Sequence, residues 1–209
     1  MKNIYFVRHG ESEGNQARLY QSSVTSLSEK GHLQAKLIAD RFSNIEIETI
    51  ISSDYIRAKQ TAKYISEVTG KDIIENQLFR ERKRPSIQEN QSKEIPELIA
   101  IDKEIEDNWG GVEWKYSDEE NFVDLRQRAK ECFEFLENMT EDNIVVVTHK
   151  NFLHCLVWYR LFGINVTPKE AKIITDNFIM SNTGIVWMQF DEIKKDWKIV
   201  TWNDHAHLG

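Results

Sequence analysis

Three short apolar runs, each ending in residues able to do chemistry, constrain this 209-residue chain more than any other feature. Ile4-Tyr5-Phe6-Val7 runs into Arg8-His9-Gly10-Glu11-Ser12, Ile50-Ile51 into Ser52-Ser53-Asp54-Tyr55-Ile56-Arg57, and Val145-Val146-Val147 into Thr148-His149. Uninterrupted apolar runs of this length are what a strand buried on both faces looks like. The carboxyl ends of such strands are where α/β sheets present reactive groups. A histidine beside an arginine, with Gly10 letting backbone come close to a ligand, suits attack of a neutral ring nitrogen on phosphorus, the guanidinium neutralising phosphoryl oxygens. A single His at a strand end fits equally well as a packed, hydrogen-bonded residue. The repetition of the pattern points to a site.

Between and after these runs the chain alternates strand and helix signals, which predicts a largely parallel sheet covered on both faces. Strands are expected near residues 2–7, 47–52, 71–75 and 143–148, with a terminal antiparallel pair near 183–191 and 196–202. A first main helix starts around Ser28 as N-cap and places Leu33, Leu37, Ile38 and Phe42 on one face. Further helices are expected over 54–69, 120–138 and 150–162, and one from Thr167-Pro168, an N-cap followed by Pro at the first helical position. The fold class is therefore α/β, a three-layer sandwich within a single domain spanning 1–209. Residues 83–120 break the pattern with Glu, Lys, Asn and Asp, Pro85 and Pro96, and the aromatics Trp109, Trp114 and Tyr116. An insertion of this length reads as a helical lid over a pocket, because clustered aromatics need something to pack against; the other reading is a solvated excursion.

Composition excludes several classes of function. Hydrophobic residues at 40% and charged residues at 29% fit an ordinary globular protein rather than a disordered one. A formal charge of -7 argues against a nucleic-acid partner, which needs a basic surface. Met1-Lys2-Asn3 leads into too few apolar residues for a signal peptide or membrane span, so the expected location is cytoplasmic. Cys132 and Cys155 have no C-x-x-C spacing and read as reduced core thiols. His9 and His149 lack H-x-H or H-E-x-x-H partners, and His32, His154, His205 and His207 read as surface, core or tail residues, so neither metal nor cofactor is expected.

Taken in order, the blocks Arg8 to Asn15 (R-H-G-E-S-x-x-N), Leu27 to Ala35 (L-[ST]-x-x-G-x-x-Q-A), Ser53 to Ala62 (S-x-x-x-R-A-x-Q-T-A), the strand ending in His149, and Asn182-Thr183-Gly184-Ile185 resemble the histidine phosphatase superfamily, the phosphoglycerate-mutase-like enzymes. The resemblance spans about residues 2 to 190. It implies that His9 forms a phosphohistidine, that Arg8, Arg57 and His149 bind the phosphoryl oxygens, and that Asn15 adds a donor. Thr148 stands where serine is frequent and is expected either to cap the next helix or to support substrate binding. Lys150 replaces a frequent glycine and puts an extra cation at the pocket mouth or in solvent. Asp54 replaces a frequent proline and retains capping ability.

A leaving alkoxide needs a proton, and the resemblance, in which the acid sits soon after the third strand, implies Glu81 in Leu78-Phe79-Arg80-Glu81-Arg82 as the donor. The alternative is that Arg80 to Arg84 is a solvated charge run; Glu11 is expected to orient its neighbours, and Glu89 and Glu94 are further candidates for the acid. Arg80, Arg82, Lys83 and Arg84 either steer an anionic substrate or are merely exposed. The segment after Glu81 lacks the E-R-x-Y-G-x-L block that resembles the substrate clamp of cofactor-dependent mutases, so a phosphatase acting on a small phosphorylated metabolite is the expected activity. A phosphomutase and a non-catalytic phospho-ligand sensor are the other two readings. Neither the substrate nor the oligomeric state is legible at this level.

Overall fold

The computed structural model describes residues 1–111 and 114–209 of the chain. One six-stranded sheet holds β1 (Lys2–Arg8), β2 (Thr49–Ser52), β3 (Ile73–Glu75), β4 (Asn143–Thr148), β5 (Ile185–Asp191) and β6 (Asp196–Asp204) in the order β3-β2-β4-β1-β5-β6. Strands β3, β2, β4 and β1 run parallel, while β5 pairs antiparallel with β1 and β6 antiparallel with β5. The α/β fold with a mostly parallel sheet and an antiparallel edge is the one the sequence predicts.

Alternation along the central strands divides the core in two. Ile4 and Phe6 of β1, with Ile144 and Val146 of β4, pack on Leu125 and Phe133 of α5 (Phe122–Glu137), Leu156 of α6 (Lys150–Phe162) and Ile174 of α7 (Pro168–Asn177). Val7, Ile50, Val145 and Val147 face the opposite way, onto Ile38 and Phe42 of α2 (Glu29–Phe42) and Ala58 and Ile65 of α3 (Ile56–Thr69). Each of the Val, Leu, Ile and Phe side chains, fully buried, contributes roughly 1.5–3 kcal/mol.

Helix α2 begins where expected, the Ser28 hydroxyl accepting from Gly31 N at 3.1 Å. Its buried stripe differs from the sequence reading: Gly31, Ala35, Ile38, Ala39 and Phe42 face inward, whereas Leu33 and Leu37 are 61% and 43% exposed. Small residues win this face because the helix starts backbone to backbone on the loop after β1. A Cβ on Gly31 would lie 1.9 Å from the Glu11 carbonyl oxygen, and one on Gly10 2.6 Å from the Gly31 oxygen. Asp54 likewise departs from its expected capping role. Tyr55 is the N-cap of α3 without a side-chain bond, and Asp54 instead forms a two-point ion pair with Arg80. The short α1 (Glu13–Gln16), closed by a Ser12–Asn15 capping box, has no hydrophobic period and was not expected.

The interval 83–120 contains a 3-10 turn at Ser86–Gln88 and one helix, α4 (Pro96–Asp107), and its residues 112 and 113 lie outside the described residues. Leu98, Ile101 and Ile105 of α4 pack on Tyr20, with Trp109 and Trp114 against them, forming a small core separate from the main two. Among the described residues no helix is long and apolar enough to cross a membrane. Cys132 and Cys155 are buried free thiols, and burial pushes Cys155 up to about 12.

Candidate active site

Parallel pairing of β1 with β4 places Arg8 opposite Thr148, and His9 N donates to Thr148 O at 2.9 Å. The two histidines that follow therefore emerge side by side, their ring centroids 5.1 Å apart. Strand β2 extends the same edge: Ser53 N donates to Val147 O at 2.9 Å, and the first turn of α3 delivers Arg57. A cavity of about 810 Å³ opens at this carboxyl edge, and its wall includes Arg8, His9, Asn15, Arg57, Glu81 and Lys150.

His9 is 3% exposed, and its Nδ1 lies 2.7 Å from Gly10 O. A carbonyl only accepts, so Nδ1 carries the proton and Nε2 keeps its lone pair. Arg57 Nε donates to that Nε2 at 3.3 Å, its Nη1 donates to Ser22 O at 2.8 Å, and its guanidinium lies over the Tyr55 ring at 5.1 Å. Burial, then the charges of Arg57 and Arg8, hold the His9 ring well below the usual imidazole range, so it is neutral at pH 7. Arg8 Nη1 donates to Met180 O at 2.6 Å, while its Nε is shut from solvent with no partner among the described residues. Burial draws Arg8 and Arg57 down to about 10, which leaves both charged at neutral pH.

His149 is the fully buried N-cap of α6 and stands behind the cavity wall, against His9 and, edge-on at 5.2 Å, against Tyr55. Its Nε2 pairs with Ser53 Oγ at 2.9 Å, and its Nδ1 is buried with no partner among the described residues. Burial, then Arg57, keeps this ring neutral too. Asn15 Oδ1 is taken by Ser12 N at 3.2 Å and Ser12 Oγ at 2.9 Å, while its Nδ2 has no protein acceptor among the described residues.

Glu81 sits on the cavity wall at the amino end of α6. Its Oε1 accepts from Arg82 N at 2.9 Å and Phe152 N at 3.1 Å, and its Oε2 from Asn151 N and Nδ2, both at 3.3 Å. Lys150 also lines the cavity, and burial followed by repulsion from Arg8 lowers its pKa. Thr148 does not fit its expected roles. It is fully buried beneath the wall, its hydroxyl donates to Phe79 O at 2.7 Å, and His149 rather than Thr148 is the helix cap. A β-strand residue pointing into the sheet's helical layer has no line to the cavity.

Glu11 binds Ser28 Oγ at 3.0 Å and Lys30 at 3.1 Å, away from the wall, in keeping with an orienting role. Of the alternative acids, Glu89 lines the cavity, whereas Glu94 is on the surface paired with Arg18 at 3.1 Å. All members of the charge run from Arg80 to Arg84 line the cavity, with Lys83 exposed and the others partly buried. Among the described residues no three His, Cys, Asp or Glu side chains group together to hold a metal ion.

Four contributors escaped the sequence reading. Ser53 holds His149; Tyr55 backs Arg57; Thr61 Oγ1 accepts from Gly10 N at 3.1 Å; and Asn182 Nδ2 donates to His9 O at 3.1 Å. Ser53, Thr61 and Asn182 belong to the blocks quoted above, so their positions were visible; their partners lie far away in sequence and were not.

A mostly parallel sheet with two neutral histidines and two arginines at its carboxyl edge defines a class of phosphoryl-handling α/β protein. The profile of the histidine phosphatase superfamily (branch 1) matches residues 4–205, and the chain belongs to that superfamily. It is 32% identical over 219 aligned positions to the probable phosphoglycerate mutase GpmB of Escherichia coli, covering 100% of this chain and 95% of the relative. It is 29% identical over 188 positions to the putative phosphoserine phosphatase 2 of Hydrogenobacter thermophilus, covering 88% of each chain. The solved structure of Bacillus stearothermophilus YhfR shares the fold over 100% of both chains, with a TM-score of 0.84 at 22% identity.

Proposed function

We propose that this protein is a phosphomonoesterase that hydrolyses a small phosphorylated metabolite through a phosphohistidine on His9. The observation that carries the reading is the unprotonated Nε2 of a buried, neutral His9, aimed by Arg57 and beside an Arg8 whose Nε lacks a partner among the described residues. Relatives named as a phosphatase and as a mutase of phosphate esters support it.

In the first step His9 Nε2 attacks phosphorus in line with the ester oxygen; the N–P bond forms, the P–O bond breaks, and the leaving alkoxide takes a proton from Glu81. Arg8 and Arg57 neutralise the equatorial oxygens, where charge accumulates, and the Nδ1 of the neutral His149, without a partner among the described residues, and the Asn15 amide add hydrogen-bond donors. The Nδ1–H bond to Gly10 O stabilises the positive ring of the phosphoenzyme. In the second step water loses a proton to Glu81 as its oxygen attacks phosphorus; the N–P bond breaks and neutral His9 and inorganic phosphate result. Lys150 at the wall attracts the incoming ester.

A phosphomutase on the same site is the second reading, favoured by the relative named as a mutase. A panel of phosphorylated metabolites separates the two. Stoichiometric release of inorganic phosphate is the expected result, whereas isomer formation without release selects the mutase, and ester binding without either product selects a sensor.

A further inference from the structure

Strand β1 ends in Arg8-His9, and the backbone of that pair is held by a turn from the far end of the chain. Thr183 N donates to Arg8 O at 3.0 Å, Arg8 N donates to Gly184 O at 3.1 Å, and Asn182 Nδ2 donates to His9 O at 3.1 Å. Thr183 is an unusual residue for this place. Its φ is 56°, in the left-handed region, where a β-branched side chain is crowded. Such a conformation is unfavourable and persists only where its surroundings over-determine it.

The last residues of the chain supply that fastening. Asn203 Oδ1 accepts from Ser181 N at 2.7 Å and fixes the start of the turn. At its other end Thr183 is fully buried, and its hydroxyl donates to Asn182 O at 2.7 Å and lies 2.9 Å from His207 Nε2. The one hydroxyl hydrogen is taken by Asn182, so His207 Nε2 carries a proton and donates to Thr183. His207 Nδ1 is closed off from solvent with no partner among the described residues, which leaves the ring its bond to Thr183. The 3-10 turn Ala206–Leu208 that carries this ring is itself tied down: Asp204 Oδ1 accepts from Ala206 N at 3.2 Å, and Asp204 pairs at two points with Arg41 of α2. Neither Thr183 nor His207 lines the cavity, so both act on the site from behind.

We infer that His207 is a positioning residue for the reaction at His9, acting through Thr183. Its Nε2–H fixes the Thr183 hydroxyl, and that hydroxyl fixes the Asn182 carbonyl. The Thr183 amide and the Asn182 side chain then hold the Arg8 and His9 carbonyls, so that the His9 ring meets phosphorus in line. This deepens the phosphomonoesterase reading and rests on it for the reaction itself. The guanidinium groups that bind the ester have anchors of their own, Arg8 on Met180 O at 2.6 Å and Arg57 on Ser22 O at 2.8 Å. Loss of the His207 bond therefore falls on the attack rather than on ester binding.

Phosphate release from p-nitrophenyl phosphate and nitrogen-15 spectra of the free protein test this together. His207→Phe keeps a ring and loses the donor; it should lower kcat at least ~10-fold with KM within about threefold of wild type, the mark of a displaced nucleophile. His207→Gln, which can place an amide N–H near the same point, should recover most of that loss. Thr183→Val keeps the branched side chain and removes the receiving hydroxyl, so it should lower kcat to the same extent, and adding His207→Phe to it should cost little more. An unchanged kcat, a KM that rises as kcat falls, or additive losses in the double variant overturn the assignment. In the spectra the His9 Nδ1–H resonance should move in both His207→Phe and Thr183→Val, because its bond to Gly10 O lies on the displaced loop. An unmoved resonance overturns the positioning role whether or not the enzyme turns over, and Thr183→Val alone carries both readings where His207→Phe does not fold. A wild type that releases no phosphate while the resonance moves sinks the esterase alone; release by the wild type with kcat unchanged in both variants sinks only the role of His207.

Discussion

Arg57 Nε donates to the same nitrogen of His9 that faces the cavity, across 3.3 Å. The guanidinium thereby aims the lone pair and must hand its hydrogen bond to a phosphoryl oxygen before the ring attacks. Arg57→Lys keeps a charge but loses the planar fork and the stacking on Tyr55. It should lower kcat for phosphate release by roughly 10²–10³, the loss seen when one preorganised donor to the developing charge is removed. A kcat within about twofold of wild type in steady-state assays contradicts this role.

Gly31 tests how α2 supports the catalytic loop. A methyl group there meets the Glu11 carbonyl oxygen at 1.9 Å, and backbone must move to admit it. Gly31→Ala should cost about 1–3 kcal/mol, the usual range for overpacking, and should also reduce kcat because the displaced loop carries His9. Denaturant titration beside an activity assay checks both, and an unchanged midpoint argues against the close approach.

Much of this was legible in the chain because strand ends carry their chemistry in sequence order. Val7-Arg8-His9 and Val147-Thr148-His149 are parallel neighbours, so one apolar period sets the strands and the side-by-side histidines together. Thr148 was misjudged because strand alternation, which decides whether a side chain meets the cavity or the helical layer, depends on register. Leu33 and Leu37 misled because apolar character alone does not show that a close backbone contact reserves the inner face of α2 for glycine and alanine. The pairing of Asp54 with Arg80 and the stacking of Arg82 on Trp109 were invisible, since they depend on how segments distant in sequence fold over one another.

Glu81 touches the cavity and the amino end of α6 at once, so its substitution must separate chemistry from support. If it protonates the leaving group, Glu81→Gln should slow alkyl phosphates by roughly 10²–10⁴. Phosphoenzyme formation from p-nitrophenyl phosphate should lose much less, because the phenolate departs without a proton. Equal losses on both esters assign Glu81 to holding α6 and turn the search for the acid to Glu89.

Four histidines set a pH limit on the fold. His9 and His149 are held well below the usual value by burial, His154 is lowered by burial, and His207 is lowered to about 4 for the same first reason. Below about pH 6.5 the unfolded chain takes up protons that the folded chain refuses, so stability is full above that pH and is lost as pH falls. The melting temperature by calorimetry should drop steadily between about pH 7 and pH 5. A flat or rising profile over that window contradicts neutral burial of these rings.

The central claim is covalent, and trapping reads it most directly. Acid is unsuitable for the quench, because a phosphoramidate is acid-labile and base-stable. Enzyme mixed with labelled ester and stopped in alkali within a single turnover should therefore carry label on His9, released by later acid treatment, and His9→Ala should carry none. Label that persists in His9→Ala, or turnover by wild type with no labelled enzyme at any time after mixing, contradicts the phosphohistidine mechanism.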